Sequence, residues 1–285
     1  MKSIYEIKSV SNKIVNQDYI SKFENINLGI NGIIVADGLG SHYLAEKGAE
    51  ICVNELKLLL ENFDESHLNF DELFKTILSK LKEEASKIED IQKLETKRNV
   101  LGTTLICIVE YNHKFVIAYV GNGSIWHIRG NFTHFPPQRY LPWSSINLLN
   151  PHTNDENGKE ALYKLFSLES EDENVKPTIV EVSKDNDLFG DIFIVSTDGL
   201  FSNDKTPIAK DREGGIWISG ETKMEILYSK IKSFLFNQSN ITLEKEIEFF
   251  YEEIKDKKLL DDCTSIGIII TDQALNYNQN INENN

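Results

Sequence analysis

The sequence predicts an α+β sandwich, and three observations carry that reading. Short apolar runs of strand length recur along the 285 residues, two of them separated only by the turn-like stretch YNHK. Helical periodicity comes in pairs. The order is therefore strands, two helices, a run of strands, two helices and a last strand, which fits antiparallel sheets covered by helix layers better than a strict βαβ alternation.

Taken in order, Ile30–Ala36 (INGIIVA) is the first clear strand. Leu44–Phe63 then carries Ala45, Ala49, Cys52, Val53, Leu56, Leu59 and Leu60 on one stripe, and Phe70–Ile88 carries Leu73, Phe74, Ile77, Leu78, Leu81 and Ala85. Apolar residues three and four apart mark the buried face of a helix. Thr104–Val109 and Phe115–Val120 flank Tyr111–Lys114 as a hairpin. Ser124–Ile128 follows, with Gly130–Asn131 as a second turn. Thr178–Val182 and Ile192–Ser196 are strands, Lys223–Phe236 and Leu243–Ile254 helices, and Ile266–Ile270 the closing strand.

The periodicity stops between Thr133 and Pro177. Within it Phe135–Glu160 holds four of the six prolines and Trp143, and the acidic run Glu169–Glu173 follows. A long stretch without periodicity inside a domain is a functional excursion or a disordered insert; its aromatics and the segment LYKLF favour a folded surface excursion. The expected organisation is one domain over residues 1–273, with 133–177 as a flap-like excursion and 274–285 as a frayed, Asn-rich tail.

Charge narrows the function. Forty-five acidic against thirty basic side chains leave a net charge of −15, which repels nucleic acid and anionic membrane surfaces but suits cation-dependent chemistry. The N-terminal stretch MKSIYEIKSVSNK lacks a secretory apolar core, and no apolar run reaches the roughly 18 residues of a membrane span. Cys52, Cys107 and Cys263 are widely spaced and odd in number, offering neither a disulfide framework nor a zinc spacing. A reducing cytoplasm is the expected compartment.

Three sites share one local design, a short apolar strand joined to aspartate. Asp37–Gly38 lies in GIIVADGLGSH, Asp198–Gly199 lies in IFIVSTDGLFSND, and Asp261–Asp262 leads into CTSIGIII. Asp18 in VNQDY is a fourth acidic position. Any one Asp-Gly is an ordinary turn. Several carboxylates gathered at strand ends repel one another and need cations or protons to relieve them. With a backbone carbonyl at glycine they form the hard-oxygen ligand set of Mg²⁺ or Mn²⁺.

The succession VNQDY, VADGLGSH, LGTTL, AYVGNGSIW, VSTDGLFS and DDCTSIGII resembles the metal-dependent type-2C protein Ser/Thr phosphatases, the bacterial branch in particular, from about Ser9 to Ile270. The resemblance implies a four-layer α-β-β-α sandwich with a two-metal site. Asp37 would bridge both ions, the Gly38 carbonyl would bind one, and Asp198 and Asp261 would hold the other. Asp18 would act beside them, directly or through water. Lys13 falls where the family places a phosphate-gripping Arg, and His42 matches the bacterial His, although a plain helix-start histidine explains it equally well. The implied reaction is hydrolysis of phospho-Ser/Thr in proteins by a hydroxide bridging two Mn²⁺ or Mg²⁺ ions. The implied partners are phosphoproteins, among them a Ser/Thr kinase or its targets.

Two departures matter. Asn122 replaces an Asp that commonly binds a third metal, so a third ion is expected to be held weakly. This leaves a catalytically weak phosphoprotein-binding regulator as the alternative. Lys13 keeps the charge of Arg without its bidentate fork. The remaining histidines (His67, His113, His127, His134 and His152) show no paired spacing and are expected to be surface or packing residues.

Overall fold

The computed structural model describes residues 2–64, 68–130, 145–156, 159–201, 205–209, 216–219, 221–260 and 262–283. It is an α+β protein with two five-stranded sheets, whose described strand pairings are antiparallel. The chain divides into two compact units, residues 15–124 with 148–184, and residues 1–14 with 125–147 and 185–285.

The first unit holds a sheet of β2 (Asp18–Asn25), β3 (Ile30–Asp37), β4 (Leu105–Tyr111), β5 (Lys114–Val120) and β10 (Thr178–Ser183), in the order β10-β5-β4-β3-β2. Its helices are α1 (Ala45–Glu61), α2 (Phe70–Ala85) and the single turn α3 (Glu89–Gln92). The expected stripes face inward: Cys52, Val53 and Leu56 of α1, with Phe74, Ile77 and Leu81 of α2, share a core with Ile34, Ala36, Cys107 and Ala118 of the strands. Asn69 caps α2, its side chain accepting from the Glu72 amide at 3.4 Å. Ile33, Val35, Ile106 and Ile108 are buried as well. With both faces covered, β3 and β4 read as unbroken apolar runs.

The second unit holds β1 (Ile4–Val10), β6 (Ser124–Ile128), β7 (Ser145–Asn147), β11 (Ile192–Ser196) and β14 (Thr264–Ile270), in the order β1-β14-β11-β6-β7. Helices α4 (Glu221–Phe236) and α5 (Leu243–Asp256) pack Leu227, Ile231, Ile247, Phe250 and Ile254 against Ile194, Ile266 and Ile268. Two small hairpins complete the described chain. One is β8 (Thr153–Glu156) with β9 (Lys159–Leu162), and the other is β12 (Lys205–Ala209) with β13 (Ile216–Ser219).

Two expectations change. The Asn-rich end is not frayed over its described part: α6 spans Asp272–Glu283 and buries Ala274, Leu275 and Asn278. Strands β1 and β2, absent from the sequence reading, are edge strands of their sheets. The excursion is folded where it is described, since β8, β9 and the buried Leu149, His152 and Phe166 lie within it; Trp143 and residues 133–144 lie outside the described residues.

Candidate functional site

In the first unit, strand register places the acids. β2 and β3 pair from Asn25 opposite Ile30 to Asp18 opposite Asp37. Two carboxylates therefore stand on directly opposed residues, whose Cα atoms in such a ladder lie about 4.5–5.5 Å apart. Asp18 is only 5% exposed. Like charges placed this way repel, and a cation between them removes the penalty.

The turn after Asp37 is pinned by the LGTT segment. The Asp37 amide donates to Thr104 Oγ1 at 3.0 Å, the Thr104 amide and the Thr103 hydroxyl both donate to the Asp37 carbonyl, and the Leu39 amide donates to the Gly102 carbonyl at 2.9 Å. Gly38 is wedged between two backbone segments: a Cβ there would lie 2.7 Å from the Ala45 carbonyl oxygen and 2.8 Å from that of Gln17. The Gly38 amide already donates to Gln17 at 3.1 Å.

Beside this loop opens a cavity of about 780 Å³, lined by Leu39, His42, Arg98, Asn122, Tyr163 and Glu169 among others. His42 is half-buried, and its Nδ1 is buried with no hydrogen-bond partner among the described residues. Burial holds the His42 pKa below its ordinary value, with Glu169 pulling the other way. The turn that carries Asn122 is ordered by His152. Its Nδ1 accepts from the Gly121 amide at 3.1 Å, and its Nε2 lies 2.8 Å from Thr178 Oγ1. An Nδ1 that accepts leaves the proton of the neutral ring on Nε2. Burial, aided by the Lys164 charge, lowers the pKa of His152 to about 4.

In the second unit the acids are placed by tertiary contacts. Strand β11 and Thr197 are buried, and the chain then makes a 3-10 turn over Asp198–Leu200, leaving Asp198 half-buried. Gly199 presses against the start of β14: a Cβ would fall 1.8 Å from the Cys263 carbonyl oxygen. Lys223 of α4 donates from Nζ to the Gly199 carbonyl at 3.0 Å. Lys13 forms an ion pair with Asp262, and its loop is clipped to the same segment by the Asn12 amide nitrogen donating to the Leu260 carbonyl at 2.9 Å.

Among the described residues, no three His, Cys, Asp or Glu side chains form a group able to hold a metal. Asp261 lies outside the described residues. The donors brought together in the first unit are two carboxylates beside a backbone turn. This is the hard-oxygen chemistry that Mg²⁺ and Mn²⁺ accept while keeping several waters.

Comparison with known proteins assigns the family. Residues 8–213 match the family model of protein phosphatase 2C. The chain belongs to the protein phosphatase 2C family. A protein phosphatase 2C-type protein of Streptococcus pyogenes is 31% identical over 121 residues, covering 41% of this chain and 47% of that one, so the match spans about half the length of this relative. Among solved structures, the S. agalactiae serine/threonine phosphatase aligns with a TM-score of 0.62 at 19% identity, over 94% of this chain and 100% of that one. The catalytic domain of the phosphatase PstP, solved in complex with two manganese ions, aligns with a TM-score of 0.58 at 17% identity, over 95% and 99%. The expected sandwich fold is thus that of bacterial 2C phosphatases.

For this 2C-family chain the sequence reading overlooked two residues. Asp262, beside Asp261 in the sequence, forms an ion pair with Lys13. In the sequence Lys223 is only the first residue of the helical stretch Lys223–Phe236. One signal was available there, since a cation in the first turn opposes the helix dipole and calls for another reason to be present. All three cysteines are free and buried. Burial raises the thiol pKa of Cys52 and Cys107. No described helix is long and apolar enough to cross a membrane.

Proposed function

We propose that the chain is a Mn²⁺- or Mg²⁺-dependent protein phosphatase that hydrolyses phospho-Ser/Thr in proteins, with a Ser/Thr kinase or its targets as substrates. The observation that carries the reading is the opposed pair Asp18 and Asp37 at the mouth of the DGLGSH turn in a chain of the 2C family. Asp37, the Gly38 carbonyl and Asp18 would hold metal in the first unit, and Asp198 and Asp261 in the second. Bound divalent cations would lower the pKa of coordinated water and offset the negative charge that gathers on the phosphoryl oxygens.

The chain's own side chains do the rest. Lys13 exchanges Asp262 for the substrate phosphate and orients it. The cavity around His42, Arg98 and Tyr163 receives residues flanking the phosphoamino acid. This gives the excursion, which supplies Tyr163 and Glu169, its part in substrate choice. His152 holds the Gly121–Asn122 turn that forms one cavity wall.

The test is hydrolysis of an aryl phosphate and of a phosphothreonine peptide, with Mn²⁺ and with EDTA. Turnover abolished by EDTA and restored by Mn²⁺ supports the reading; metal-independent turnover, or none, sinks it. Asn122 favours a second reading, a catalytically weak phosphoprotein-binding regulator, because an amide in place of a carboxylate removes one charge from a third metal position. That reading predicts phosphopeptide binding without turnover, and under it Asn122→Asp raises metal-dependent activity.

A further inference from the structure

Lys223 is fully buried. Lysine is almost never so placed unless something compensates, since an ammonium loses its hydration on leaving water. It also stands in the first turn of α4, the helix end where a cation is disfavoured. Two separate penalties thus fall on one side chain, and its Nζ is directed at the carbonyl of Gly199 at 3.0 Å.

Gly199 is the middle residue of the 3-10 turn that begins with Asp198. On its other side the turn abuts β14, so closely that a Cβ would meet the Cys263 carbonyl oxygen at 1.8 Å and Thr264 Oγ1 at 2.7 Å. The turn is therefore held between a backbone segment and an ammonium. Contact with β14 limits where the turn can lie. The bond from Lys223 fixes how the Gly199–Leu200 peptide plane is rotated, and through it the direction in which the preceding Asp198 leaves the backbone. A charged donor to a carbonyl is among the stronger hydrogen bonds available for this purpose.

We infer that Lys223 is a positioning residue: from behind the turn it orients Asp198 for binding a divalent cation. This rests on the reading of Asp198 as a metal ligand. Residues that orient a metal ligand, when removed, typically weaken metal binding by about 10- to 100-fold.

The experiment measures Mn²⁺ binding directly, from loss of the six-line electron paramagnetic resonance signal of free Mn²⁺, on wild type and Lys223→Met. Met has nearly the same length and removes the buried charge, so the fold is expected to survive, as circular dichroism would show. Expected is Mn²⁺ binding weakened by about tenfold, while KM for an aryl phosphate at saturating Mn²⁺ stays within about twofold, because the role inferred for Lys223 is to hold the turn backbone and not to contact substrate. A residue with a merely structural role would lower the melting temperature without moving Mn²⁺ affinity below the transition. Unchanged or tighter Mn²⁺ binding by K223M overturns the inference. If K223M does not fold, Lys223→Gln is measured and judged by the same outcomes. Should wild type itself bind no Mn²⁺, the metal-site reading fails and this inference with it. Should wild type bind and the variant bind equally, only this inference fails.

Discussion

The two compact units place their acidic residues by different means. In the unit built on β2–β5 and β10, Asp18 and Asp37 oppose each other because antiparallel register puts them there, and the turn that follows is tied by backbone bonds to Gln17 and Gly102. In the unit built on β1, β6, β7, β11 and β14, Asp198 sits on a 3-10 turn whose orientation depends on Lys223 from α4 and on Cys263 at the start of β14. Register is a local, repetitive constraint. A turn clamped by residues distant in sequence is a tertiary one, and a single side chain can undo it.

The contrast predicts different failures. The largest effect is expected from Asp37→Asn, which removes a carboxylate without disturbing the ladder. Turnover should fall by about a thousandfold, the worth of about 4 kcal/mol of lost charge stabilisation, with the melting temperature unchanged or raised as repulsion with Asp18 is relieved. Most of the activity surviving in D37N would remove the register-placed site from the mechanism.

Next come the two wedged glycines. Gly199→Ala and Gly38→Ala each drive a methyl group into backbone, at a cost of about 1–3 kcal/mol. The approach at Gly199 is closer than at Gly38, 1.8 Å against 2.7 Å, so G199A should lower the melting temperature more. Thermal unfolding of both variants checks this, and a larger loss in G38A would reverse the ranking of the two turns.

A smaller effect is expected where Lys13 meets Asp262. Both side chains are 41% exposed, and exposed ion pairs are worth at most about 1 kcal/mol. Asp262→Asn should free Lys13 for phosphate and lower KM by no more than about fivefold, with kcat little changed. An increase in KM would mean that Asp262 holds Lys13 in its working position.

The smallest effect concerns pH. His152 is neutral in the fold, with a pKa of about 4 against the ordinary 6.5. Between these values the unfolded chain binds a proton that the folded chain does not. Its contribution is complete above pH 6.5 and is lost as pH falls toward 4. Melting temperatures across that window should decline less steeply in His152→Gln than in wild type, and parallel curves would show that His152 does not titrate with unfolding.

Legibility in the sequence follows the same divide. Strands β3, β4, β5, β11 and β14 were readable because they are buried almost throughout and spell continuous apolar runs. β1 and β2 were not, because edge strands keep polar side chains: β1 is half-buried along its length, and β2 exposes Lys22 and Glu24. Helix α6 was unreadable for the opposite reason. Its Asn-rich sequence has little to bury, and its order depends on docking Ala274 and Leu275 against the core of its unit.

By itself the sequence determined the α+β class, the helix pairs and the Asp-Gly turns at Asp37 and Asp198. These arise from hydrophobic periodicity and turn chemistry, which act over a few residues. Tertiary structure alone decided that Lys13 rests on Asp262 and that Lys223 lies buried beneath Gly199. Each of these joins residues whose neighbours in sequence say nothing of one another, and such contacts exist only once the chain has folded.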